Sequence, residues 1–195
     1  MELTICKLAP EHAEAYARFF DETPHDDGVD EGKCYCVCWC RADSEWVDFS
    51  SREKRRALAL KFVGEGQIQG YLAYCGDRII GWCNANTKSD CLKCVSWRTF
   101  MSEIPTGESD PGVKVKSIFC FTITPDMKRQ GIATRLLERV CEDAARDGFD
   151  FVEAYPNKTY AELNGFAGPA EMYRRCGFSI VHETEQKYVV RKQLK

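Results

Sequence analysis

The sequence lacks any run of apolar residues long enough to cross a membrane. A spanning helix needs about 18 uninterrupted apolar residues, and no window among the 195 residues approaches this length. The segment from Met1 to Phe20 also lacks the basic start and apolar centre of an export signal. We therefore expect a cytoplasmic protein with no membrane-spanning segment and no membrane partner.

An excess of charge of one sign is absent as well. The chain carries 27 basic and 30 acidic side chains, a formal net charge of −3. Because nucleic acids and anionic membrane surfaces attract proteins with a basic excess, the sequence predicts neither as a partner. It contains no internal repeat or low-complexity segment, and its 44% hydrophobic and 29% charged residues are typical of a soluble folded domain. Its length fits a single domain.

Cysteine is plentiful, with 12 among 195 residues, or about 6%. This is below the ~8–10% typical of small secreted disulfide scaffolds, so we expect reduced thiols. Four cysteines alternate from Cys34 to Cys40, and Cys91 and Cys94 form a further pair. An extended strand would place the outer sulfurs of the run roughly 20 Å apart, whereas zinc binds each sulfur at about 2.3 Å. We therefore expect buried thiols without metal, and zinc held by a bent run together with Cys91 and Cys94 is the alternative.

The spacing of apolar residues predicts an alternation of strands and helices. Strands are predicted over 3–8, 70–75, 78–85, 113–124, 149–155, 178–182 and 188–192, and helices over 10–20, 51–64, 129–147 and 169–176. Gly76 and Asp77 predict a tight hairpin turn between two of these strands. The stretches 20–48 and 88–112 lack a clear period and contain proline and glycine, so we expect irregular excursions there.

A predicted turn and the start of a long predicted helix meet at Gly131. The first N–H groups of a helix have no acceptor within it, and the helix dipole adds about half a positive charge at this end, so a phosphate there is stabilised. Gly131 and Ala133 keep bulk away from a bound group, Thr134 offers a hydroxyl, and Lys128 and Arg129 add positive charge. The pattern indicates a pyrophosphate site, and an ordinary solvated basic turn is the alternative.

These residues resemble a known protein family, the GNAT superfamily of acyl-CoA-dependent N-acyltransferases. The segment Lys128-Arg129-Gln130-Gly131-Ile132-Ala133 resembles its Gln/Arg-x-x-Gly-x-Gly/Ala pyrophosphate loop, and Tyr173-Arg174-Arg175-Cys176-Gly177-Phe178 is similar to its Tyr-x-x-x-Gly-Phe segment. Gly81-Trp82-Cys83, Glu153-Ala154-Tyr155-Pro156 and Gly168-Pro169 resemble a bacterial branch of the same family. The resemblance covers residues 70–192 well and the N-terminal third loosely.

Two positions depart from the family pattern. Lys128 stands where the family prefers Gln or Arg, and Phe166 stands where many members have an asparagine that contacts the cofactor. The resemblance therefore implies no asparagine contact to pantetheine or to the acceptor at Phe166.

The resemblance implies a single α/β domain over residues 1–195, with a mixed, mostly antiparallel central sheet and helices on both faces. It implies acetyl-CoA as the co-substrate and transfer of its acetyl group to a primary amine by direct attack. The acceptor is expected to be a small molecule or a peptide, bounded by the excursions 20–48 and 88–112. A homodimer is compatible with this fold. The expected cofactor-binding residues are Phe121, Thr122, Ile123, Lys128, Arg129, Gln130, Gly131, Ile132, Ala133, Thr134 and Asn157.

The reaction needs a proton donor for the leaving thiolate, a stabilised oxyanion and a neutral amine. The resemblance implies Tyr173 as the proton donor, and a core aromatic residue is the alternative reading. It also implies a free amide at Phe121 or Thr122 as the oxyanion donor. Glu153 is the candidate base because its apolar neighbours suggest partial burial. A salt-bridged structural carboxylate or a water chain is the alternative to that base.

A protein with this fold need not be an enzyme. The alternative function is a non-catalytic sensor of acyl-CoA, or a sensor that depends on the cysteines or on a metal. The presence of both Tyr173 and the predicted pyrophosphate loop favours the enzyme.

Overall fold

The structure of the chain is a computed structural model that describes residues 2–24, 29–40, 47–108, 110, 112–159 and 165–195. The predicted excursions 20–48 and 88–112 are therefore described only in part. All the statements that follow concern these residues.

Seven strands form one sheet: β1 (Leu3–Lys7), β2 (Gly70–Cys75), β3 (Arg78–Thr87), β4 (Val115–Ile123), β5 (Phe151–Ala154), β6 (Ser179–Glu183) and β7 (Tyr188–Gln193). The α-helices of the described residues are α1 (Ala13–Glu22), α2 (Arg52–Gly64), α3 (Lys88–Cys91), α4 (Val95–Phe100), α5 (Ile132–Arg146) and α6 (Ala170–Arg175). None of these helices is both long and apolar enough to span a bilayer.

The strands lie in the order β1-β2-β3-β4-β5-β7-β6. Strands β4 and β5 pair in parallel, and the other neighbouring strands pair antiparallel. The parallel pairing runs from Val115 opposite Phe151 to Ile118 opposite Ala154. Strand β4 then continues to Ile123 while β5 ends, so this edge of β4 opens.

Helices cover both faces of the sheet because successive side chains of a strand point to opposite sides. In β2, Tyr71 and Ala73 belong to the core cluster under α5, where Leu136 and Val140 are fully buried. Leu72 points the other way, into the cluster formed with α1 and α2. The predicted fold class, a mixed and mostly antiparallel sheet with helices on both faces, is confirmed.

Two local predictions need correction. Helix α5 begins at Ile132 rather than at residue 129, because Arg129 and Gly131 have positive φ values of 62° and 79° and cannot continue a right-handed helix. The cysteine run from Cys34 is a series of turns rather than an extended strand, and Tyr35 within it has a φ of 47°. Within the predicted irregular excursion 88–112, the segment 96–101 lies largely within α4.

The cysteines are thiols in this structure. All 12 are free, and burial raises the pKa of Cys38 to about 12 and that of Cys141 to about 11. Within the described residues no three His, Cys, Asp or Glu side chains are placed to hold a metal ion. The zinc alternative therefore finds no ligand set in this part of the chain.

We expect Gly70→Ala to lower the free energy of unfolding by at least about 2 kcal/mol, because a Cβ at this buried position would overlap the Cys83 carbonyl oxygen and the Trp82 ring. Chemical denaturation of the purified protein measures this change. Gly64→Ala is the matched control, since no atom lies within 4 Å of its added Cβ. Equal stability of the two variants would contradict the close packing of β2 against β3.

Candidate active site

A cleft of about 560 Å³ opens where β4 and β5 diverge; we call it the first cleft. Nine of the eleven predicted cofactor-binding residues line it: Phe121, Thr122, Ile123, Lys128, Arg129, Gly131, Ile132, Ala133 and Thr134. The opposite wall comes from the segment 165–172, through Gly165, Phe166, Gly168, Pro169 and Met172. The predicted residues thus form one wall, and the second wall is absent from the predicted set, although the family pattern places a cofactor contact at the position of Phe166.

The turn before α5 gives the first cleft an anion-binding end. Gly131 is the N-cap of α5, and as a glycine it has no side chain with which to cap the helix. Its positive φ is readily adopted by glycine, and the helical hydrogen bonding begins when Arg135 N donates to Gly131 O at 3.0 Å. The amides before Arg135 therefore have no acceptor within the helix. With the cations of Lys128 and Arg129 on the same cleft, this end favours a negatively charged group.

Two predicted cofactor contacts are not made by side chains at the first cleft. Gln130 Nε2 donates to Asp126 O at 2.9 Å, and the side chain does not line the cleft. Asn157 Oδ1 accepts a hydrogen bond from Lys187 Nζ at 2.8 Å, beyond the end of β5. The side chains of Gln130 and Asn157 are thus held by other partners, and the main chain at Gln130 stays a predicted contact of the cofactor.

The predicted oxyanion donor also needs correction. Thr124 N donates to Ile80 O at 3.0 Å, and amides alternate between the two edges of a strand, so the Thr122 amide points toward β3. The Phe121 amide faces the first cleft but donates to Phe166 O at 2.6 Å. By the same alternation the Ile123 amide faces the first cleft.

Tyr173 lies one layer behind the wall of the first cleft. Its side chain is fully buried, and its hydroxyl donates to Ala167 O at 2.6 Å. Its ring contacts Phe121, which lines the cleft, with ring centroids 6.5 Å apart. Burial raises the pKa of Tyr173 well above the usual value of 10, so the hydroxyl keeps its proton.

Glu153 is sequestered in a buried ion network rather than exposed to a reacting group. Its side chain is fully buried, and Oε1 accepts from Tyr155 Oη at 2.8 Å and lies 3.0 Å from Lys88 Nζ. Oε2 accepts from Arg191 Nε at 2.8 Å. Glu108 completes the network, with its carboxylate oxygens 3.0 Å from Lys88 Nζ and 3.1 Å from Arg191 Nη1. The structure thus favours the salt-bridged alternative over the predicted base.

A second cleft, of about 410 Å³, lies beside the first, and Phe166 lines both. Its walls bring together the two predicted excursions and the connection between β6 and β7. The lining residues are Trp39, Thr99, Phe100, Ser102, Glu103, Ile104, Phe166, Thr184, Glu185, Gln186 and Lys187. Sequence analysis misses the β6–β7 connection, whose polar residues indicate only a turn, although the family departure at Phe166 does point to this place.

We expect the ion network of Glu153, Glu108, Lys88 and Arg191 to make the folded protein less stable in acid. Burial raises the pKa of Glu108, but its contacts with Lys88 and Arg191 outweigh burial and lower the pKa below the ordinary 4.5. A lowered folded-state pKa contributes stability that is present above pH 4.5 and is lost as the pH falls through the folded-state value. We expect Glu108→Gln to lower the free energy of unfolding by about 2 kcal/mol at pH 7 and to flatten its decline below pH 5.

Thermal unfolding from pH 3 to pH 8 measures both effects. The control is Glu183→Gln, which removes an exposed partner of Lys158 and should change the profile much less, because an exposed ion pair contributes little stability. An identical acid slope in wild type and Glu108→Gln would contradict the assigned role of the network.

Comparisons with known proteins agree with this geometry. The profile of the acetyltransferase (GNAT) family matches residues 38–178. Comparison with curated protein sequences gives no significant match.

Solved structures share the fold at low sequence identity. A GNAT-family acetyltransferase from Streptococcus pneumoniae is 16% identical, with 100% of both chains covered and a TM-score of 0.54. The Salmonella typhimurium protein yncA, solved with its cofactor acetyl-CoA, is 13% identical, with 99% of this chain and 94% of that chain covered and a TM-score of 0.53. A chain of the NatC complex bound to Gag peptide and CoA is 12% identical, with 100% of both chains covered and a TM-score of 0.58.

The family profile spans more than two thirds of the sequence, and the loop before α5 stands where the resemblance requires it. The chain belongs to the GNAT family of acetyltransferases, for which acetyl-CoA is the co-substrate.

Proposed function

We propose that the protein is an N-acetyltransferase that moves the acetyl group of acetyl-CoA to a primary amine by direct attack. The observation that carries this proposal is the contact of the two clefts at Phe166, in the gap between β4 and β5. One cleft ends at the start of α5 and suits the donor, and the other is open to an acceptor. Acetyl-CoA supplies the thioester whose carbonyl carbon is attacked.

The residues of the first cleft fit this donor. The first-turn amides of α5 would hold the pyrophosphate, and Thr134 lies beside them. The positive charges of Lys128 and Arg129 would partly neutralise the negative charge of the pyrophosphate. Gly131 and Ala133 leave room for the main chain to approach the phosphates. The apolar residues further along the cleft, among them Phe121 and Ile123, would contact the pantetheine arm.

The open edge of β4 would also stabilise the oxyanion. Because the Phe121 amide donates to Phe166 O, we assign this role to the Ile123 amide, which lies on the same edge. A main-chain donor is fixed by the sheet and needs no reorganisation when negative charge develops on the carbonyl oxygen.

Tyr173 remains the proposed proton donor for the leaving thiolate. Its raised pKa keeps the proton on the hydroxyl across the neutral range. To donate it, the hydroxyl would exchange its bond with Ala167 O for one with the sulfur, and Ala167 lies between the cleft-lining residues Phe166 and Gly168. Since Glu153 is enclosed by its ion pairs, we propose that the amine loses its proton to water in the second cleft.

Charge placed at Gly131 tests the donor site. We expect Gly131→Asp to bind CoA about 10-fold more weakly than Gly131→Asn, because its carboxylate would repel the pyrophosphate. Asparagine is the matched control, since both residues have the same shape and tolerate a positive φ. Isothermal titration with CoA measures both constants. Equal affinities of the two variants would place the pyrophosphate elsewhere. No heat of binding with the wild type would contradict the assignment of the first cleft to CoA.

Release of the CoA thiol tests the function. Wild-type protein mixed with acetyl-CoA should release CoA with at least one amine from a panel of drug-like amines, polyamines and peptides. We expect Tyr173→Phe to lower kcat about 100-fold while the KM for acetyl-CoA stays within about twofold. Because the protein carries 12 thiols, each assay needs a control without acceptor.

The outcomes separate the candidate roles. Turnover by Tyr173→Phe that matches wild type at every pH would mean that solvent or another group supplies the proton. Tight binding of acetyl-CoA with no turnover across the panel would favour the non-catalytic sensor.

A further inference from the structure

We propose that the second cleft selects a primary amine that carries a single positive charge and a flat aromatic group. This inference rests on the proposed function, because it names the class of acceptor for that reaction. It is carried by the shape of the cleft wall, by the exposure of its apolar residues and by its charge.

One wall of the second cleft belongs to a rigid stack of aromatic rings. Trp39 stacks on Phe119 with ring centroids 4.6 Å apart and an angle of 13°, and Phe119 stacks on Tyr155 at 5.7 Å and 14°. Trp97 contacts both Phe119 and Tyr155 edge-on, at 89°. Trp39 lines the second cleft, so the stack holds its indole in place there. A fixed flat surface favours a flat ligand, because stacking then costs little ordering of side chains.

Two large apolar side chains on the same cleft are exposed. Phe100 is 63% exposed and Phe166 is 36% exposed. They are two of the five large hydrophobic residues classed as exposed within the described part of the chain, and both line the second cleft. Adjacent exposed apolar residues in a concave site mark a place where a ligand buries apolar surface. The aromatic group of such an amine would cover the exposed side chains of Phe100 and Phe166.

The charges of the cleft suit one ammonium group. Among the described residues that line it, Glu103 and Glu185 are acidic, and Lys187, whose Nζ donates to Asn157 Oδ1 at 2.8 Å, is basic. The formal charge of these three side chains is −1, which attracts a monocation. A polyamine would bring several charges to a cleft where these side chains balance only one. Its additional ammonium groups would lose water without gaining partners.

The position of Phe166 connects this occupant to the reaction. Since Phe166 lines both clefts, an amine bound beside it lies next to the thioester. In the step itself a C–N bond forms to the acetyl carbon and the C–S bond breaks. The ammonium first loses one proton to water and becomes the neutral nucleophile, and the nitrogen loses a second proton to water once the C–N bond has formed. The CoA sulfur receives a proton from Tyr173, which regains one from solvent.

Steady-state kinetics with matched amines tests the inference. We expect kcat/KM to be at least about 5-fold higher for 2-phenylethylamine than for 2-cyclohexylethylamine, which has the same charge and length but a non-planar ring, and higher still relative to spermidine. We expect Phe100→Leu, which keeps apolar area but removes the flat face, to reduce the preference for the aromatic amine. Ile180→Ala is the matched control, because Ile180 is 57% exposed on β6 and lines neither cleft.

A binding measurement keeps this inference separable from the proposed function. Isothermal titration of 2-phenylethylamine into the protein saturated with CoA reports the second cleft without any acetyl transfer. Binding that is weakened by Phe100→Leu and unchanged by Ile180→Ala supports the aromatic site. If this binding is seen but no amine is acetylated, the proposed acetyl transfer is overturned and the aromatic site stands. Turnover that favours spermidine or the cyclohexyl amine overturns the aromatic class while the transferase stands. If the amine is neither bound nor turned over, both the aromatic site and the proposed function are overturned.

Discussion

The candidate active site depends on the point at which the parallel strands β4 and β5 separate. Strand β5 ends at Ala154, opposite Ile118, while β4 runs on to Ile123. Main-chain groups that lose a neighbouring strand need other partners, because an unpaired buried polar group is costly. Here Phe166 O accepts the Phe121 amide, and the rest of this edge lines the first cleft. Helix α5 starts at the same end of the sheet, so the opened edge and the uncapped helix form one concave surface.

Phe166 has two functions in this arrangement, one for its main chain and one for its side chain. The carbonyl closes part of the open strand edge, and the ring stands between the two clefts. Many family members are expected to have an asparagine at this position. A phenylalanine cannot make the same polar contact, but it adds apolar surface to the second cleft, which agrees with the aromatic character of that cleft.

The interior charges link one wall of the second cleft to the sheet. Glu153 on β5 shares Lys88 and Arg191 with Glu108, which belongs to the excursion 88–112. Two carboxylates and two cations balance, and removing any one of them leaves a charge of the opposite sign in a buried place. The network therefore ties an irregular segment to the sheet, and part of that segment, including Phe100, lines the second cleft.

Local patterns along the chain are sufficient for the strands, for helices α1, α2, α5 and α6, and for the turn at Gly131 that ends the first cleft. The apolar rows of α5, the Gly76-Asp77 turn and the small residues on either side of Ile132 act over a few residues, so they can be read from sequence alone. The charge partners of Glu153, the direction of the Thr122 amide and the meeting of Trp39, Phe100 and Phe166 could not be read in this way. They depend on strand register and on contacts between residues far apart in the chain, and only the tertiary packing decides these.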